Sequence, residues 1–450
     1  MNAAENVAPP WCDAAPDGAG APAAAAIWQL GPRRTAPPAG WVFALGPDGA
    51  LAPGAGALIE AAPAAAEVLI SDDVTQMDGC GALGLKPAFD PLLLERMDYA
   101  GRAVFFRAGV LGSAALAALE AGAPPATLIE PGRRVAHLPY PAAIFAAPAA
   151  APPARPASRA PLGPVAAIIP NRNSPRLIRA ALAAILAEDG APAPVAVVID
   201  NGSDDPETLA FYEELRREPR VRVERRPAPF NFAAMVNRGA ALAEAEFGEI
   251  AAFLLLNNDI EAPKRGWLRP MEETLAAPDV GVVGAKLLFP DRTIQHAGVI
   301  VGHGGVAGHD LKGAPESAPG LAGRMAAPHL REAATAAAML VRADLWRALG
   351  GFDARAFPVA FNDVDFCLRA GAAGWRVALD PRAVLLHHEG VSRRRPLSLS
   401  RYLAHRQERA ALRSRHMTVG RIDRFESPWR DPENLTPTFR MLKTLPPIRF

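Results

Sequence analysis

Cysteine is scarce in this chain, and its placement argues against two kinds of structure. The 450 residues include three cysteines, Cys12, Cys80 and Cys367, which lie far apart in the sequence. An odd number without closely spaced pairs argues against a disulfide framework and against a cysteine metal site. The pattern predicts a protein of a reducing compartment.

The chain also lacks an excess of either charge. Lys and Arg number 48 against 47 Asp and Glu, which gives a formal net charge of +1 and no overall electrostatic argument for a nucleic-acid partner. The local exception is the arginine run at residues 393–395, followed by Arg401, Arg406 and Arg409. Such a run is usually a solvated face, and the alternative is peripheral contact with phosphate or an anionic membrane surface.

Long apolar runs are missing as well. No stretch reaches the roughly 18 residues of a membrane span. The first residues, MNAAENVAPPWCDAAPDG, have neither the basic start nor the apolar core of a signal peptide. We therefore expect a soluble, cytoplasmic protein, whose membrane contact, if it has one, is at the inner face.

Shifts in composition predict the domain organisation. Residues 1–38 are rich in Ala, Pro and Gly and are predicted to be disordered. A first module is predicted over residues 39–140. Repeated prolines over residues 141–164 predict an extended linker, because proline disfavours both helix and sheet. A larger domain over residues 165–395 and a helical or irregular extension over residues 396–450 follow.

Apolar runs alternate with amphipathic segments after the linker. Strands are predicted at residues 165–169, 195–199, 221–224 and 250–256, separated by helical patterns. Ser174 is a predicted N-cap before Pro175. Strands that alternate with helices in this way are typical of an α/β fold with a mostly parallel central sheet.

Polar residues follow three of these strands. Asn171 and Arg172 come after the first, residues 200–203 after the second, and Asn257, Asn258 and Asp259 after the fourth. The run FLLLNNDIE, taken alone, is better explained by a turn that caps the next helix. Three such loops at the carboxyl edge of one parallel sheet favour a ligand site.

Asp363 is the clearest acid–base residue. It lies in the first turn of a predicted helix with Asn362 as N-cap, where the helix dipole favours an ionised carboxylate that can accept a proton. The alternative is that Asp363 and Asp365 are only favourable N-terminal helix charges.

A divalent cation is the predicted cofactor. Mg²⁺ or Mn²⁺ is commonly held by one or two carboxylates together with phosphate oxygens of the substrate, and Asp259 supplies one carboxylate. His387 and His388 follow a short strand and can add an imidazole. The alternative for each histidine is a structural role.

One glycine-rich segment imitates a different site. Residues 302–307 match the G-x-G-x-x-A spelling of a dinucleotide-binding turn. The segment HDLKGAPESAPG that follows does not have the pattern of the required helix. We predict a flexible loop over the site instead.

Eight ordered motifs between about residues 165 and 392, among them VAAIIPNRN, VVIDNGSDDPETL, FLLLNNDIE, AFNDVDFCLRAG and LLHHEGVS, resemble glycosyltransferase family 2, especially the rhamnosyltransferase-like enzymes of bacterial cell-surface polysaccharides. The resemblance implies a GT-A fold, a nucleotide-sugar donor, a divalent metal and transfer with inversion. It implies a glycan or lipid-linked glycan as acceptor.

The resemblance also implies roles for individual residues. Donor-binding positions are Pro170, Asn171, Arg172, Asp200, Asn201, Ser203, Asn231, Asn237, Asn257 and Asn258. Asp259 matches the metal-binding Asp-x-Asp motif, His387 the histidine near the diphosphate, and Asp363 the catalytic base.

Departures from the family pattern fall in three places. Asn257 stands at the first Asp of Asp-x-Asp, although the resembling subgroup shares this feature. Ala336 and Ala338 stand where Gly and Cys are expected beside the acceptor, and Gly390 replaces a Ser. The acceptor pocket is therefore less well specified than the donor pocket.

The N-terminal half resembles part of a second family 2 module, through GWVFALGPDGALAPG and VLISDDVTQMDG. Its first nucleotide-binding strands are missing, and its metal motif reads Gly46-Pro47-Asp48-Gly49. We predict an inactive remnant. For the whole chain we predict a metal-dependent inverting glycosyltransferase that extends a surface glycan such as O-antigen, the alternative being a non-catalytic nucleotide-sugar-binding or scaffold protein.

Overall fold

The computed structural model describes residues 27–29, 40–45, 48–77, 80–146, 159–190, 192–388, 399–430 and 448. The chain divides into two units. Unit 1 comprises Met1–Pro156, Leu321–Arg324 and Arg424–Phe450, and unit 2 comprises Ala157–Gly320 and Met325–Asp423. Nearly all of the predicted disordered segment, Cys12, the arginine run at 393–395 and Gly390 lie outside the described residues.

Unit 1 is built on one sheet with short helices. Its elements are β1 (Ile27–Gln29), β2 (Trp41–Phe43), β3 (Gly49–Leu51), α1 (Ala55–Glu60), β4 (Val68–Met77), β5 (Cys80–Gly84), α2 (Pro91–Arg96), β6 (Val104–Arg107), α3 (Ser113–Glu120) and β7 (Val135–Phe145). The strand order is β1-β2-β6-β4-β7-β3, with β5 paired to β4.

One sequence-based expectation for unit 1 is corrected. Residues 141–145, predicted as linker, complete β7, and Pro139 falls where the pairing with β4 shifts register. A proline is tolerated at such an irregularity because the ladder does not need its missing N–H there. The apolar run at residues 68–70 does not end at its acidic residues: β4 continues to Met77 because the carboxylate of Asp72 accepts from the backbone N–H of Lys86 at 2.8 Å and Asp73 pairs with the Lys86 ammonium at 2.6 Å.

Unit 2 is larger. Its strands are β8 (Val165–Asn171), β9 (Val195–Asp200), β10 (Val221–Arg225), β11 (Ala252–Leu256), β12 (Ile260–Glu261), β13 (Val280–Leu288), β14 (Ile294–His296), β15 (Val299–Val301), β16 (Ala307–His309), β17 (His329–Arg331), β18 (Ala338–Arg342) and β19 (Arg376–His387). Its helices are α4 (Pro175–Leu186), α5 (Pro206–Leu215), α6 (Phe232–Phe247), α7 (Leu268–Leu275), α8 (Ala343–Leu349), α9 (Asn362–Ala372) and α10 (Leu399–His416). None of the helices within the described ranges is long and apolar enough to cross a membrane.

The main sheet of unit 2 confirms the predicted α/β class. Its order is β10-β9-β8-β11-β18-β13-β19-β12. The first four strands are parallel, β18 runs antiparallel to its neighbours β11 and β13, and β13 and β19 are again parallel. The parallel strands β8 and β11 are buried along their whole length, as expected for a sheet covered by helices on both faces.

Helix α6 packs unusually close to this sheet. Gly239 faces Ile168 of β8, and a Cβ at this position would overlap the Ile168 side chain. The close contact is part of a core that includes Phe253 and Leu255 of β11. The glycine therefore sets how near α6 lies to the parallel strands.

One local prediction in unit 2 is confirmed and two need correction. Ser174 is the N-cap of α4 before Pro175, as predicted, although its side chain makes no capping hydrogen bond. The N-cap of α9 is Phe361, in the left-handed region with φ 60°, and Asn362 is the first helical residue. Residues 302–307, predicted as a flexible loop, form the turn of the hairpin β15–β16 and the first residue of β16.

The two units share one strand pattern. Strands β1, β2, β3, β4, β5, β6 and β7 correspond in chain order to β8, β11, β12, β13, β14, β18 and β19 of unit 2. Each corresponding pairing has the same direction, from parallel β1–β2 and β8–β11 to antiparallel β3–β7 and β12–β19. Among the described residues of unit 1, no strand corresponds to β9 or β10, which is the part predicted to be missing from the N-terminal half.

Candidate active site

The carboxyl ends of β8, β9 and β11 lie side by side in the order β9-β8-β11. Asn171 ends β8, Asp200 ends β9, and residues 257–259 follow β11. The side-chain amide of Asn258 donates to the carbonyl oxygen of the Asn171 side chain at 2.6 Å. Two of the predicted loops therefore meet directly at one edge of the sheet.

Asp200 is fully buried and organises the loops after β8 and β9. Its carboxylate accepts from the backbone N–H of Ser203 at 2.9 Å, from the Ser203 hydroxyl, and from the Tyr212 hydroxyl at 2.9 Å. The backbone N–H of Asn173 in turn donates to the Ser203 hydroxyl oxygen at 2.7 Å. These contacts fix both loops before any ligand arrives.

Tyr212 and Arg225 complete this network, and the sequence interpretation missed both. The amide of Asn171 donates to the Tyr212 hydroxyl at 2.6 Å, and Arg225 lies 3.4 Å from Asp200. Burial raises the pKa of Tyr212 well above its ordinary value, so its proton stays in place. The only sequence signal was the inward helical spacing of Thr208, Phe211 and Tyr212 on α5.

Asp259 and His387 lie together at the end of β11. The Nε2 atom of His387 is 3.0 Å from a carboxylate oxygen of Asp259 and 3.2 Å from the side-chain amide of Asn257. The Nδ1 atom is 2.6 Å from the side-chain oxygen of Gln295, a residue the sequence interpretation did not single out. Because an amide oxygen only accepts, Nδ1 donates to Gln295, and Nε2 is the ring nitrogen that faces Asp259.

This pair fits a divalent cation as part of a ligand set. Adjacent ligands of an octahedral ion with bonds of about 2.1 Å lie about 3.0 Å apart, which matches the 3.0 Å between Asp259 and His387. Over the described ranges there is no cluster of three or more His, Cys, Asp or Glu side chains that could hold a metal. The remaining ligands would have to be water or substrate oxygens.

Asp363 lies on the other side of the end of β11. Its carboxylate accepts from the backbone N–H groups of Ala336 at 3.0 Å and Val364 at 2.8 Å. The next carbonyl, that of Ala337, accepts from the backbone N–H of Asn257 at 3.0 Å. The backbone of residues 336 and 337 thus connects the acid to the Asp259 loop.

Four further predicted donor-binding residues are not among those described above in the network around Asp200. Asn231 caps α6 through the N–H of Ala234 at 2.8 Å, and Asn237 exchanges two hydrogen bonds with the backbone of Phe352 at 2.8 and 2.9 Å. Pro170 is buried within β8, whereas Arg172 is exposed. The first two have structural partners, so a donor role for them remains only a prediction.

Asn201 and His388 also make defined contacts. The side-chain oxygen of Asn201 accepts from the backbone N–H of Ala228 at 3.2 Å. His388 pairs with Glu261 at 3.0 Å, and its backbone N–H donates to the Asp259 carbonyl at 3.0 Å. His387 is therefore the histidine whose ring lies beside the Asp259 carboxylate, and His388 supports the backbone.

Unit 1 contains an altered counterpart of the Asp259 pair. In unit 2 His387 is the register partner of Ile260, and in unit 1 Phe145 is the register partner of Gly49, so Asp48 takes the place of Asp259. Arg102 pairs with Asp48 at 2.7 Å, and its guanidinium carbon lies 3.8 Å from the centre of the Phe145 ring. A guanidinium of the protein itself thus lies between the two counterpart positions.

Comparison with known proteins gives matches to a family model and to curated relatives. Residues 166–296 match the model of the family described as Glycosyl transferase family 2. The uncharacterized protein y4gI of Sinorhizobium fredii is 40% identical over 230 residues, which are 51% of this chain and 25% of that protein. The O-antigen biosynthesis protein RfbC of Myxococcus xanthus is 36% identical over 237 residues, which are 51% of this chain and 18% of that protein.

The chain therefore aligns with a quarter or less of the length of these two relatives. Among solved structures, the mannosyltransferase PcManGT from Pyrobaculum calidifontis, in complex with GDP-Man and Mn²⁺, is similar with 17% identity and a TM-score of 0.40, covering 57% of this chain and 65% of that chain. The family match and the mixed α/β sheet of unit 2 confirm the predicted GT-A fold class. The chain contains a domain of glycosyl transferase family 2 at residues 166–296.

Proposed function

We propose that the chain is a metal-dependent, inverting glycosyltransferase that moves a sugar from a nucleotide-sugar donor to a hydroxyl of a growing cell-surface glycan. The family 2 domain supports sugar transfer, and the name of the Myxococcus relative, an O-antigen biosynthesis protein, supports a surface glycan as acceptor. A rhamnose-type donor and a cytoplasmic site of action at the inner membrane face are the finer parts of the proposal.

One observation carries the proposal: an ordered donor-side network and an acid lie on opposite sides of the end of β11. Asn258 contacts Asn171 on the donor side, and Ala336 and Ala337 connect Asn257 to Asp363 on the other. An inverting transferase needs this arrangement, because the acceptor hydroxyl must approach the anomeric carbon from the face opposite the leaving diphosphate.

Asp363 is the base in this mechanism. Each of its oxygens accepts one backbone hydrogen bond and keeps a lone pair for the acceptor hydroxyl. As the acceptor oxygen forms its bond to the anomeric carbon, the bond from that carbon to the diphosphate oxygen breaks. The hydroxyl proton passes to Asp363, the nucleoside diphosphate leaves, and the anomeric configuration inverts.

Asp259 and His387 are the residues that would hold the metal. A bound Mg²⁺ or Mn²⁺ supplies positive charge to the leaving diphosphate. Asn171 and the loop ordered by Asp200 and Ser203 lie where the nucleoside of the donor would bind. The protein residues orient the donor, and Asp363 moves the proton.

Unit 1 is an inactive copy in this proposal. The guanidinium of Arg102 neutralises Asp48, and an aromatic ring replaces the imidazole at Phe145. Helix α3 precedes β7 and begins at Ser113. Its first turn has no carboxylate. Metal, donor and base all belong to unit 2.

The rival function is nucleotide-sugar binding without catalysis, and an Asp363→Asn variant separates the two. We expect it to retain nucleoside diphosphate binding in the presence of Mn²⁺, measured by calorimetry, and to lose transfer of sugar from labelled nucleotide-sugars. Asn is close in size to Asp, and its single amide oxygen can accept one of the two backbone hydrogen bonds. Equal turnover by variant and wild type would remove Asp363 as base, and binding without transfer in the wild type would favour the rival.

A further inference from the structure

Helix α10 lies outside the residues that match the family model. It contacts the turn that leads to Asp363, and these contacts run along the length of the turn. The turn, residues 353–361, is the later part of the connection from α8 to α9 and ends two residues before the base. Contacts reach its start, its middle and its end. These contacts differ in chemistry, so each can be tested separately.

The C-terminal end of α10 holds the first turn of α9. Asp365 is fully buried, and its carboxylate lies 2.9 Å from Arg415, 2.9 Å from His416 and 2.8 Å from Arg369 of its own helix. Arg415 also bridges to Asp353 at 2.9 Å, and its guanidinium carbon is 5.0 Å from the centre of the Phe357 ring. A buried carboxylate with such partners fixes the position of its helix, because leaving any of these charges unpaired is costly.

The middle of α10 holds the end of the turn. Glu408 is 4% exposed, and one of its oxygens accepts from the backbone N–H groups of Val359 at 2.8 Å and Ala360 at 3.1 Å. His405 stacks on Phe361 with ring centres 5.5 Å apart. Phe361 has φ 60°, a strained conformation for a non-glycine residue that surrounding contacts must maintain.

We propose that α10 is a clamp that positions the base, with Arg415 and Glu408 as its positioning residues. Neither residue needs to touch substrate. Arg415 fixes the first turn of α9 through Asp365, and Glu408 fixes the turn before it, so that Asp363 stays on the N–H of Ala336. The proposal rests on the assignment of Asp363 as base, but the clamp itself is a property of the fold that can be measured without substrate.

The experiment compares Arg415→Ala, Arg415→Lys and Glu408→Gln in the full chain. Gln407→Ala is the control on α10, since Gln407 is exposed on the same helix, and Arg216→Ala is the control for loss of one exposed arginine. For each protein we would measure kcat and KM for sugar transfer, the Kd for a nucleoside diphosphate with Mn²⁺, and hydrogen exchange of the amides at the start of α9.

For Arg415→Ala we expect kcat to fall on the order of 100-fold, because a displacement of about 1 Å at a catalytic group has this effect. The KM for donor and the diphosphate Kd should stay within about twofold of wild type, and exchange at the start of α9 should rise. Lysine should restore part of kcat, since it keeps one charge but cannot bridge two carboxylates as arginine does. Glu408→Gln keeps an accepting oxygen and should be nearer to wild type than Arg415→Ala.

Unchanged exchange at α9 in Arg415→Ala would overturn the clamp, and so would a kcat equal to that of the controls. A fall in diphosphate affinity equal to the fall in kcat would also overturn it, because the residue would then support the whole domain and not the base. A wild-type protein that transfers no sugar would contradict the proposed function, while the exchange measurement would still decide whether α10 holds α9.

Discussion

Gln295 is expected to affect metal binding, although the sequence interpretation did not single it out. Its side-chain oxygen lies 2.6 Å from Nδ1 of His387 and thereby directs Nε2 of the ring at Asp259. We expect Gln295→Leu to weaken Mn²⁺ binding by about 10- to 100-fold, the usual effect of losing such an outer partner of a metal ligand. Calorimetric titration of the full chain with Mn²⁺ measures it.

The control for this prediction is Gln295→Glu, which retains an accepting oxygen toward His387. It should bind Mn²⁺ more tightly than Gln295→Leu does. If leucine and glutamate give the same affinity as glutamine, the orientation of His387 does not depend on residue 295.

Gly239 gives a second prediction at the scale of one residue. A methyl group there would overlap Ile168, so Gly239→Ala should lower the free energy of unfolding of unit 2 by about 1–3 kcal/mol through overpacking. Gly371→Ala is the matched control, because it is also helical and a Cβ there meets no atom within 4 Å. Urea unfolding followed by far-ultraviolet circular dichroism compares them, and a Gly239→Ala curve equal to the control would contradict the packing argument.

At the scale of elements, the sequence predicts well where strands end in polar residues. It predicts poorly which distant elements contact each other. The ends of β8, β9 and β11 follow from apolar runs that stop at Asn171, Asp200 and Asn257, because a buried strand in a parallel sheet is apolar throughout. The partners of Asp365 are different. Arg415 and His416 lie 50 and 51 residues away along the chain, and nothing in local pattern indicates which carboxylate a helical arginine will meet.

Unit 1 also contains a contact between distant residues that local pattern does not predict. Its strand β4 continues past Asp72 and Asp73 because Lys86, 13 residues beyond Asp73, meets their carboxylates. A polar residue after an apolar run marks a strand end only when no partner is available inside the fold, and pairing of this kind cannot be read from spacing. The site residues at the sheet edge were predictable, whereas their supporting partners Tyr212 and Gln295 were not.

The contact between α9 and α10 should depend on pH. Burial alone would raise the pKa of the Asp365 carboxyl, but hydrogen bonds from His416 and Arg369 and the charge of Arg369 outweigh burial and hold this pKa below its ordinary value. A carboxyl with a lowered folded-state pKa stabilises the fold fully above its unfolded-state pKa, about 3.9. That stabilisation is lost as the pH falls through the lower, folded-state value.

We therefore expect hydrogen exchange at the start of α9 to show a constant opening free energy from neutral pH to about pH 5 and a fall below about pH 4. Asp365→Asn should have a lower opening free energy at neutral pH, and its difference from wild type should shrink in acid. The comparison isolates Asp365 from other carboxyls that titrate in the same range. A difference that stays constant down to pH 3 would contradict this account.

For the whole molecule, the repeated strand pattern raises the question of how many metal ions one chain binds. Unit 1 and unit 2 carry the same seven strands in the same order, and each places an aspartate, Asp48 or Asp259, at the same point. In unit 2 the neighbouring position is an imidazole. In unit 1 it is Phe145, with the guanidinium of Arg102 against both Asp48 and the ring.

We therefore expect one Mn²⁺ per chain and not two. Asp259→Asn should abolish the calorimetric binding signal, because it removes the charged ligand beside His387. Asp48→Asn should leave the stoichiometry and affinity unchanged, since a guanidinium and a divalent cation repel each other at the same carboxylate. The two variants make the same chemical change at corresponding positions and so control for each other. Two ions per wild-type chain, or a loss of binding in Asp48→Asn, would mean that Arg102 moves aside and that unit 1 retains a metal site.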